Sequence, residues 1–523
     1  MHSTVTSPDT SPRPVHRLSL DTEAATARLA EAVAASARAG DAILLEGDLG
    51  AGKTTFARAF LRAVADDETL EVPSPTFTLL QIYDLPRLRV AHIDLYRLAD
   101  PQELDELGLD DYSGDGVVIV EWPERGGDRF GGDCLHIVLE TGADPDKRLA
   151  TLTADGSWAD RLDRLVAVRT TLAGLGYEDW HRRFLKGDAS TRRYERLDKG
   201  DDKAVLMDSP AMPDPGTGTV PYSRIAHLAE AVTPFVAIAD ALKAHGFSTP
   251  DIRTSDLGEG ILVLEDLGTD TVLDDGGRPV QDRYCAALDV LAALHRLDLP
   301  DHAEVAPGLI HHLPRYDLGA FMAEVDLMPA WFARLATGGS ALPEAALDTY
   351  RTLWRDLLFD LTDPDRHGAW VLRDYHSPNL MWLADRDDFA RVGLLDIQDA
   401  VIGPAAYDVA SLIFDARVDI PERMRRELYA YYIAERQIAD PAFDVEAFDC
   451  DFAILAVQRT TKILGIFARL YLRDGKPDYL AHFPRLSAYL EAALTHPVLA
   501  GLKLWYDTHL PHVSRLRAAE TLR

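Results

Sequence analysis

The run Gly47-Asp-Leu-Gly-Ala-Gly-Lys-Thr54 constrains the fold of this chain more than any other stretch. It follows a short apolar run, Ala42-Ile-Leu-Leu45, that reads as a buried strand, and it opens a segment from Lys53 to Val64 that reads as a helix. Strand, glycine turn and helix in that order make a cradle for phosphate. The glycines let successive backbone N–H groups turn inward, and the helix N-terminus adds the positive end of its dipole. Gly47, Asp48, Leu49, Gly50, Ala51, Gly52, Lys53, Thr54 and Thr55 are therefore candidate nucleotide-binding residues, with Lys53 reaching the outer phosphates and Thr54 able to ligate magnesium. Such a loop sits at the edge of a mostly parallel sheet, so the first part of the chain reads as an α/β P-loop domain.

Helical and extended stretches keep alternating to about Leu152. A helix capped by Asp21 or Thr22 ends before Gly40, and strands are expected at Leu18–Leu20, Arg89–Leu95, Val117–Val120 and Leu135–Leu139. Asp94 and Glu121 stand at the ends of two of these apolar runs, where both would lie beside the phosphate loop. Asp94 can hold magnesium and Glu121 can polarise an attacking water; a surface carboxylate at a strand end is the plainer reading of each. Ser74-Pro-Thr-Phe-Thr78 reads as a proline-stiffened turn. Turn composition at residues 153–157, then a new amphipathic helix from Asp160 to Leu175, places a domain boundary there. The expected domains are residues 1–157, with a loose tail at 1–17, and residues 158–523.

From Arg182 to Met207 the second domain reads as two strands around a turn, with a third extended stretch at Gly260–Leu264 and mostly helix beyond Gln281. That profile is an α+β bilobal domain, a small β-rich lobe at about 158–268 and a larger helical lobe at about 269–523, and its resemblance to kinases, carried by the motifs that follow, implies a protein-kinase-like fold. Val371-Leu-Arg-Asp-Tyr-His-Ser-Pro-Asn379 has Asp374 and Asn379 at the spacing of a phosphotransferase catalytic loop. The aspartate can accept the proton of an acceptor hydroxyl, and the asparagine can bind magnesium. Asp396 ends the next apolar run and is a second candidate metal ligand. Gly187-Asp-Ala-Ser190-Thr191 can cover nucleotide phosphates, and Glu265 lies in Leu264-Glu-Asp-Leu-Gly268, where the lobes connect and backbone groups can pair with adenine. Gln458, Arg459 and Lys462 share one face of an otherwise apolar helix, as an acceptor or phosphate site or as a polar edge reaching solvent.

Two families are matched by these residues. Gly47 to Thr55, Ser74-Pro-Thr-Phe77, His92-Ile-Asp94-Leu-Tyr-Arg97 and Glu121-Trp122 resemble, in order and spacing, the TsaE family of ATPase subunits in the bacterial machinery that makes threonylcarbamoyladenosine in tRNA. The resemblance implies ATP and magnesium as cofactors, roles for Asp94, Glu121 and Trp122, and other subunits of that machinery as partners. The stretch from about Asp160 to Leu516 resembles the aminoglycoside-phosphotransferase-like kinases. Within them it looks most like the AmgK group, which phosphorylates the amino sugars N-acetylmuramate and N-acetylglucosamine at the anomeric hydroxyl in cell-wall recycling. By that resemblance Asp374 is the catalytic base, while Asn379 and Asp396 bind metal. Met207 stands where kinases place a phosphate-binding lysine, and no glutamate follows at the place of its usual partner. Either another cation, Arg192 or Arg193, does that work, or the domain is a pseudokinase; an aminoglycoside-like or choline-like acceptor is a further alternative. For the first domain the rival is a stand-alone nucleotide kinase.

Charge and composition narrow the partners. With 54 basic against 85 acidic residues the formal charge is −31, so the summed field repels phosphate and argues against non-specific binding to nucleic acid or anionic membranes. Any phosphate must be held by a local site. The three cysteines are far apart and form no metal-type pair, and no uninterrupted apolar run of 18 residues occurs, so neither a disulfide framework, a structural zinc, a signal peptide nor a membrane span is expected. A cytoplasmic protein fits these features.

Overall fold

In the computed structural model the described residues run from 15 to 511, apart from 99, 101, 107–113, 131–132, 143, 145–146, 186–191 and 213–219. The chain forms two compact units, Met1–Pro210 with Ile252–Asp266, and Ala211–Asp251 with Leu267–Arg523.

The first unit holds two sheets. One has seven strands in the order β1 (Val15–Leu20), β7 (Arg148–Ala154), β6 (Cys134–Thr141), β2 (Ala42–Glu46), β5 (Gly116–Glu121), β4 (Arg89–Asp94), β3 (Leu80–Asp84). The four strands β6, β2, β5 and β4 are parallel, and the flanking strands pair antiparallel. Parallel strands covered on both faces are apolar throughout. In β5, Val117 and Ile119 enter the core that includes residues of helices α1 (Glu23–Ser36) and α2 (Lys53–Ala65), while Val118 and Val120 enter a second core with Leu44, Ala91 and Ile93. Thr22 is the cap of α1, its hydroxyl accepting from the Ala25 amide at 3.1 Å. Strands β3, at one edge of the sheet, and β7, between β1 and β6, have polar residues at alternate positions and fall outside the strands expected from apolar runs.

The other sheet is antiparallel, in the order β11 (Ile252–Asp256), β12 (Ile261–Glu265), β10 (Asp202–Asp208), β9 (Arg193–Lys199), β8 (His181–Leu185). Three strands, not two, occupy the stretch from Arg182 to Met207. Gly200, at φ +64°, turns the chain between β9 and β10 in a two-residue connection that hydropathy alone does not mark.

Helix α3 (Trp158–Gly174) serves both sheets. Trp158, Leu162 and Leu165 belong to the core of the seven-stranded sheet, whereas Val168 and Leu172 pack with Trp180, Leu197, Ala204 and Leu206 of the antiparallel one. Charged pairs repeat the division. Arg161 grips Asp41 through two hydrogen bonds of 2.7 Å, and Arg164 bonds Asp208 at 2.5 and 2.8 Å. A second tie joins α1 to β8. Buried Glu31 accepts from the Arg182 amide at 3.1 Å and pairs with Arg28 and His181, while Arg182 forks onto Glu195 at 2.7 and 2.9 Å. Arg183 reaches Asp66, just past the end of α2, at 2.8 Å.

The second unit is mainly helical, with α4 (Thr233–Ala244), α5 (Gln281–Leu294), α6 (Leu318–Val325), α7 (Ala406–Ile413), α8 (Glu422–Ala439) and the long α9 (Val445–Asp474) among its helices. At Gly465 a Cβ would stand 2.5 Å from the Leu327 carbonyl carbon, so only glycine lets α9 pass that turn so closely. Short ladders pair β15 (Ala369–Val371) with β18 (Val401–Gly403) and β16 (Leu380–Trp382) with β17 (Val392–Leu394), and β13 (His302–Ala306) with β14 (Leu309–His312) forms a hairpin. Among the described residues no helix is long and apolar enough to cross a membrane.

Burial pushes the Glu31 carboxyl up, but His181, Arg28 and the Arg182 amide outweigh it and hold it below its usual range. Glu31→Gln is expected to destabilise the first unit by about 3 kcal/mol, since Arg28 loses its buried counter-charge. A lowered carboxyl contributes fully above its unfolded pKa, about 4.3, and loses the contribution as pH falls through the folded value. The gap between wild type and variant in urea melts should therefore close on acidification below that range; an equal gap at pH 7 and pH 3 would contradict the assignment.

Candidate functional sites

The first site lies at the carboxyl ends of the parallel strands. Gly47 has φ +138°, and a Cβ there would stand 2.3 Å from the Leu139 carbonyl oxygen, so the loop closes only with glycine. Arg148 holds the loop from the side, donating to the Ala51 and Gly50 carbonyls at 3.0 and 3.3 Å. Lys53 is buried. Its ammonium donates to the Gly47 and Asp48 carbonyls at 2.6 and 2.9 Å and stands 3.7 Å over the Trp122 ring. Burial lowers its pKa, against the opposing charges of Glu121, Glu124, Asp94 and Asp48. Phosphate oxygens can exchange with the two carbonyls without a new cation having to be brought in.

Register sets Asp94 and Glu121 side by side on adjacent strands, both almost wholly buried. The Thr54 hydroxyl donates to Glu121 Oε2 at 2.9 Å, and His92 Nε2 lies 3.0 Å from Glu121 Oε1. Asp94 accepts from Thr76 at 2.6 Å and from the Tyr96 amide at 2.9 Å. The proline-stiffened turn thus supplies Thr76 to the site, a part that its turn composition does not reveal. Loop, threonine and two carboxylates are brought together as a cluster of oxygen donors of the kind magnesium takes. Leu49, at the tip of the loop, is exposed.

The second site is the loop after β15. Arg373 is held at φ +65°, its amide and that of Leu372 donating to buried Asp408 at 2.9 and 2.6 Å. Burial pushes Asp408 up to about 7. Asp374 follows. Burial raises its carboxyl, but the charges of His376, Lys462, Arg459 and Arg373 outweigh that and keep it below the usual carboxylate range; burial pushes His376 down to about 4, so at neutral pH the cations beside Asp374 are Lys462, Arg459 and Arg373. Asn379 Nδ2 donates to the Asp374 carbonyl at 2.9 Å, leaving the amide oxygen as its ligand atom. Asp396 accepts from Gln398 at 2.7 Å.

Glu324, fully buried on α6, organises the charges around this loop. It pairs with Arg373 at 2.5 Å and Lys462 at 2.8 Å, and accepts from Gln458 at 2.8 Å and Tyr316 at 2.5 Å. Gln458, Arg459 and Lys462 are therefore an interior network rather than a solvated edge of α9. Asp415 accepts from Ser377 Oγ and amide at 2.6 and 2.8 Å and steadies the turn carrying Asn379. Sequence reading missed Glu324, Asp408 and Asp415. The signal available was a lone acid within an apolar helical run, as in Phe321-Met-Ala-Glu324-Val and Tyr407-Asp-Val-Ala-Ser-Leu.

Comparison with known proteins assigns the two parts. The model for the threonylcarbamoyl adenosine biosynthesis protein TsaE matches residues 20–149, and that for the phosphotransferase enzyme family matches residues 181–443. The chain is 36% identical over 372 residues to the N-acetylmuramate/N-acetylglucosamine kinase of Caulobacter vibrioides, covering 68% of this chain and 98% of that one. It is 42% identical over 133 residues to the tRNA threonylcarbamoyladenosine biosynthesis protein TsaE of Bacillus subtilis, covering 25% of this chain and 81% of that one. The chain belongs to both families, one in each part. A solved structure, Bacillus subtilus YdiB, is 32% identical and covers 30% of this chain and 98% of its own, with a TM-score of 0.26.

In the phosphotransferase part the candidate cations separate by register. Met207 pairs with Tyr194, and strand alternation sets Tyr194 and Arg196 on the sheet face of Met207, with Arg192 directly before the strand. Arg193 shares the opposite face with Glu195 and Leu197, the face on which α3 packs. Arg196 bonds Asp266 at 3.0 Å, next to Glu265 at the end of β12. Residues 187–191, Ser190 included, lie outside the described residues.

Glu324→Gln should leave Arg373 and Lys462 buried without their counter-charge and destabilise the second unit by about 3–5 kcal/mol. Urea denaturation of the full chain reads the effect; an unchanged midpoint would show that the network carries no structural burden.

Proposed function

We propose that this chain is a bifunctional ATP-using enzyme of the cytoplasm. Residues 1–157 act as the ATPase subunit in tRNA threonylcarbamoyladenosine formation, together with other subunits of that machinery. Residues 158–523 transfer the γ-phosphoryl group of ATP to the anomeric hydroxyl of N-acetylmuramate or N-acetylglucosamine. The observation that carries the kinase reading is Asp374, kept ionised by a ring of buried cations in the loop that also presents Asn379.

Oxygen donors at both sites suit magnesium, Thr54 and Asp94 at the first, Asn379 and Asp396 at the second. Bound there, the ion would neutralise phosphate charge and orient the transferring group. At the first site Lys53 and the loop amides bind phosphate, and Glu121, fixed by Thr54 and His92, orients water. At the second, Asp374 takes up the proton of the acceptor hydroxyl. An anomeric hydroxyl is more acidic than other sugar hydroxyls, so an ionised carboxylate suffices as base. Arg192, directly before β9, supplies the cation that kinases otherwise take from lysine.

Lys53→Ala should abolish ATP binding by the first site and the support of tRNA modification, while sugar phosphorylation continues; unaltered modification in cells carrying only this variant would contradict the ATPase reading. Asp374→Ala should lower sugar phosphorylation by roughly 10²–10⁴ with ATP affinity nearly unchanged. Phosphorus NMR of the product locates the phosphate. A 6-phosphate would point to another acceptor position. ATP binding without any sugar product would favour the pseudokinase reading that Met207 permits.

A further inference from the structure

We infer that the base of the β13–β14 hairpin is a binding site for a divalent cation of the zinc class, held by Asp301, His302 and His312. Antiparallel register sets His302 opposite His312, so both imidazoles project from one face of the ladder, with ring centroids 5.7 Å apart. Asp301 Oδ1 lies 3.0 Å from His302 Nδ1, and one ligand atom from each of the three residues falls within 4.8 Å of the other two. Tetrahedral zinc with nitrogen and oxygen ligands at about 2.0–2.1 Å requires ligand atoms roughly 3.3 Å apart. All three side chains are exposed and can close the remaining gap by small rotations.

The backbone beneath them is fixed, because the Leu313 amide donates to the Asp301 carbonyl at 2.9 Å and the ladder pairs His302 with His312. The donor set decides the class of ion. Two imidazoles and a carboxylate suit zinc, nickel or copper, whereas magnesium takes oxygen ligands and keeps its water.

A second group of similar composition, Glu31, Glu68 and His181, shows the contrast. There Arg28 pairs with Glu31 and Arg183 with Glu68, so arginines already fill the place of a cation. No arginine or lysine pairs with Asp301 or the two histidines among the interactions of the described residues. Solvent reaches the hairpin site, so the bound ion would keep open positions and exchange readily. None of its residues belongs to the phosphate loop or the catalytic loop. The metal would cross-link the two strands of the hairpin rather than take part in phosphoryl transfer.

The test is a zinc titration of the tag-free full chain, stripped with chelator and held in excess magnesium so that the oxygen-donor sites are filled. A single equivalent should bind, and His302→Ala, His312→Ala and Asp301→Asn should each weaken it by about tenfold or more. Cobalt(II) in place of zinc should give visible ligand-field bands that the same variants abolish. Exposed hairpin residues tolerate these changes, and circular dichroism checks that the fold persists. Equal zinc affinity in the histidine variants, or no saturable binding by the wild type, would overturn the inference.

Discussion

A single helix, α3, belongs to two hydrophobic cores, and the first unit depends on it. Trp158, Leu162 and Leu165 are buried against the ATPase sheet, and Val168 and Leu172 against the kinase small-lobe sheet. Each such side chain contributes about 1.5–3 kcal/mol by burial, so neither core can release the helix cheaply. Arg161 and Arg164, each forked onto an acid of a different sheet, fix its rotation. The consequence is mechanical continuity. Helix α2 begins at the phosphate loop and ends beside Asp66, which Arg183 of β8 holds. Experiments on either activity are therefore best made on the full chain.

Buried acids do in this protein what surface basicity does in many phosphate-binding proteins. A chain of charge −31 cannot attract ATP through its overall field. It places single cations instead, held by a buried carboxylate at the second site and by backbone carbonyls and an aromatic ring at the first. Glu324 fixes Arg373 and Lys462, and these with Arg459 keep Asp374 ionised against its own burial. Lys53, stacked on Trp122 and bonded to loop carbonyls, is kept in position at the mouth of the first site. Local fields of this kind act over a few ångströms and are little screened by salt.

Legibility in the sequence followed the range of the interactions. The places of the phosphate loop, Asp94, Glu121, Asp374, Asn379 and Asp396 were readable because each stands in or directly after a strand-and-loop run contiguous in the sequence. Register then put Asp94 beside Glu121, as their places at two strand ends implied. Arg192 and Arg193 could not be told apart until strand pairing put Arg193 on the face opposite Met207, with Arg192 outside the strand. Glu324 was hidden for a different reason. Its partners lie at 316, 373, 458 and 462, so the one local sign, a lone acid in an apolar helical run, does not say what it pairs with. Strands β3 and β7 and the β9–β10 turn escaped because a two-residue connection and half-polar strands leave little contrast in hydropathy.

The central claim is that one chain carries two independent nucleotide sites. Its most direct test is the stoichiometry of a non-hydrolysable ATP analogue with magnesium, measured by equilibrium titration of the full chain. The account predicts two equivalents bound per chain, one at the phosphate loop and one at the kinase site. Saturation at one equivalent would contradict it.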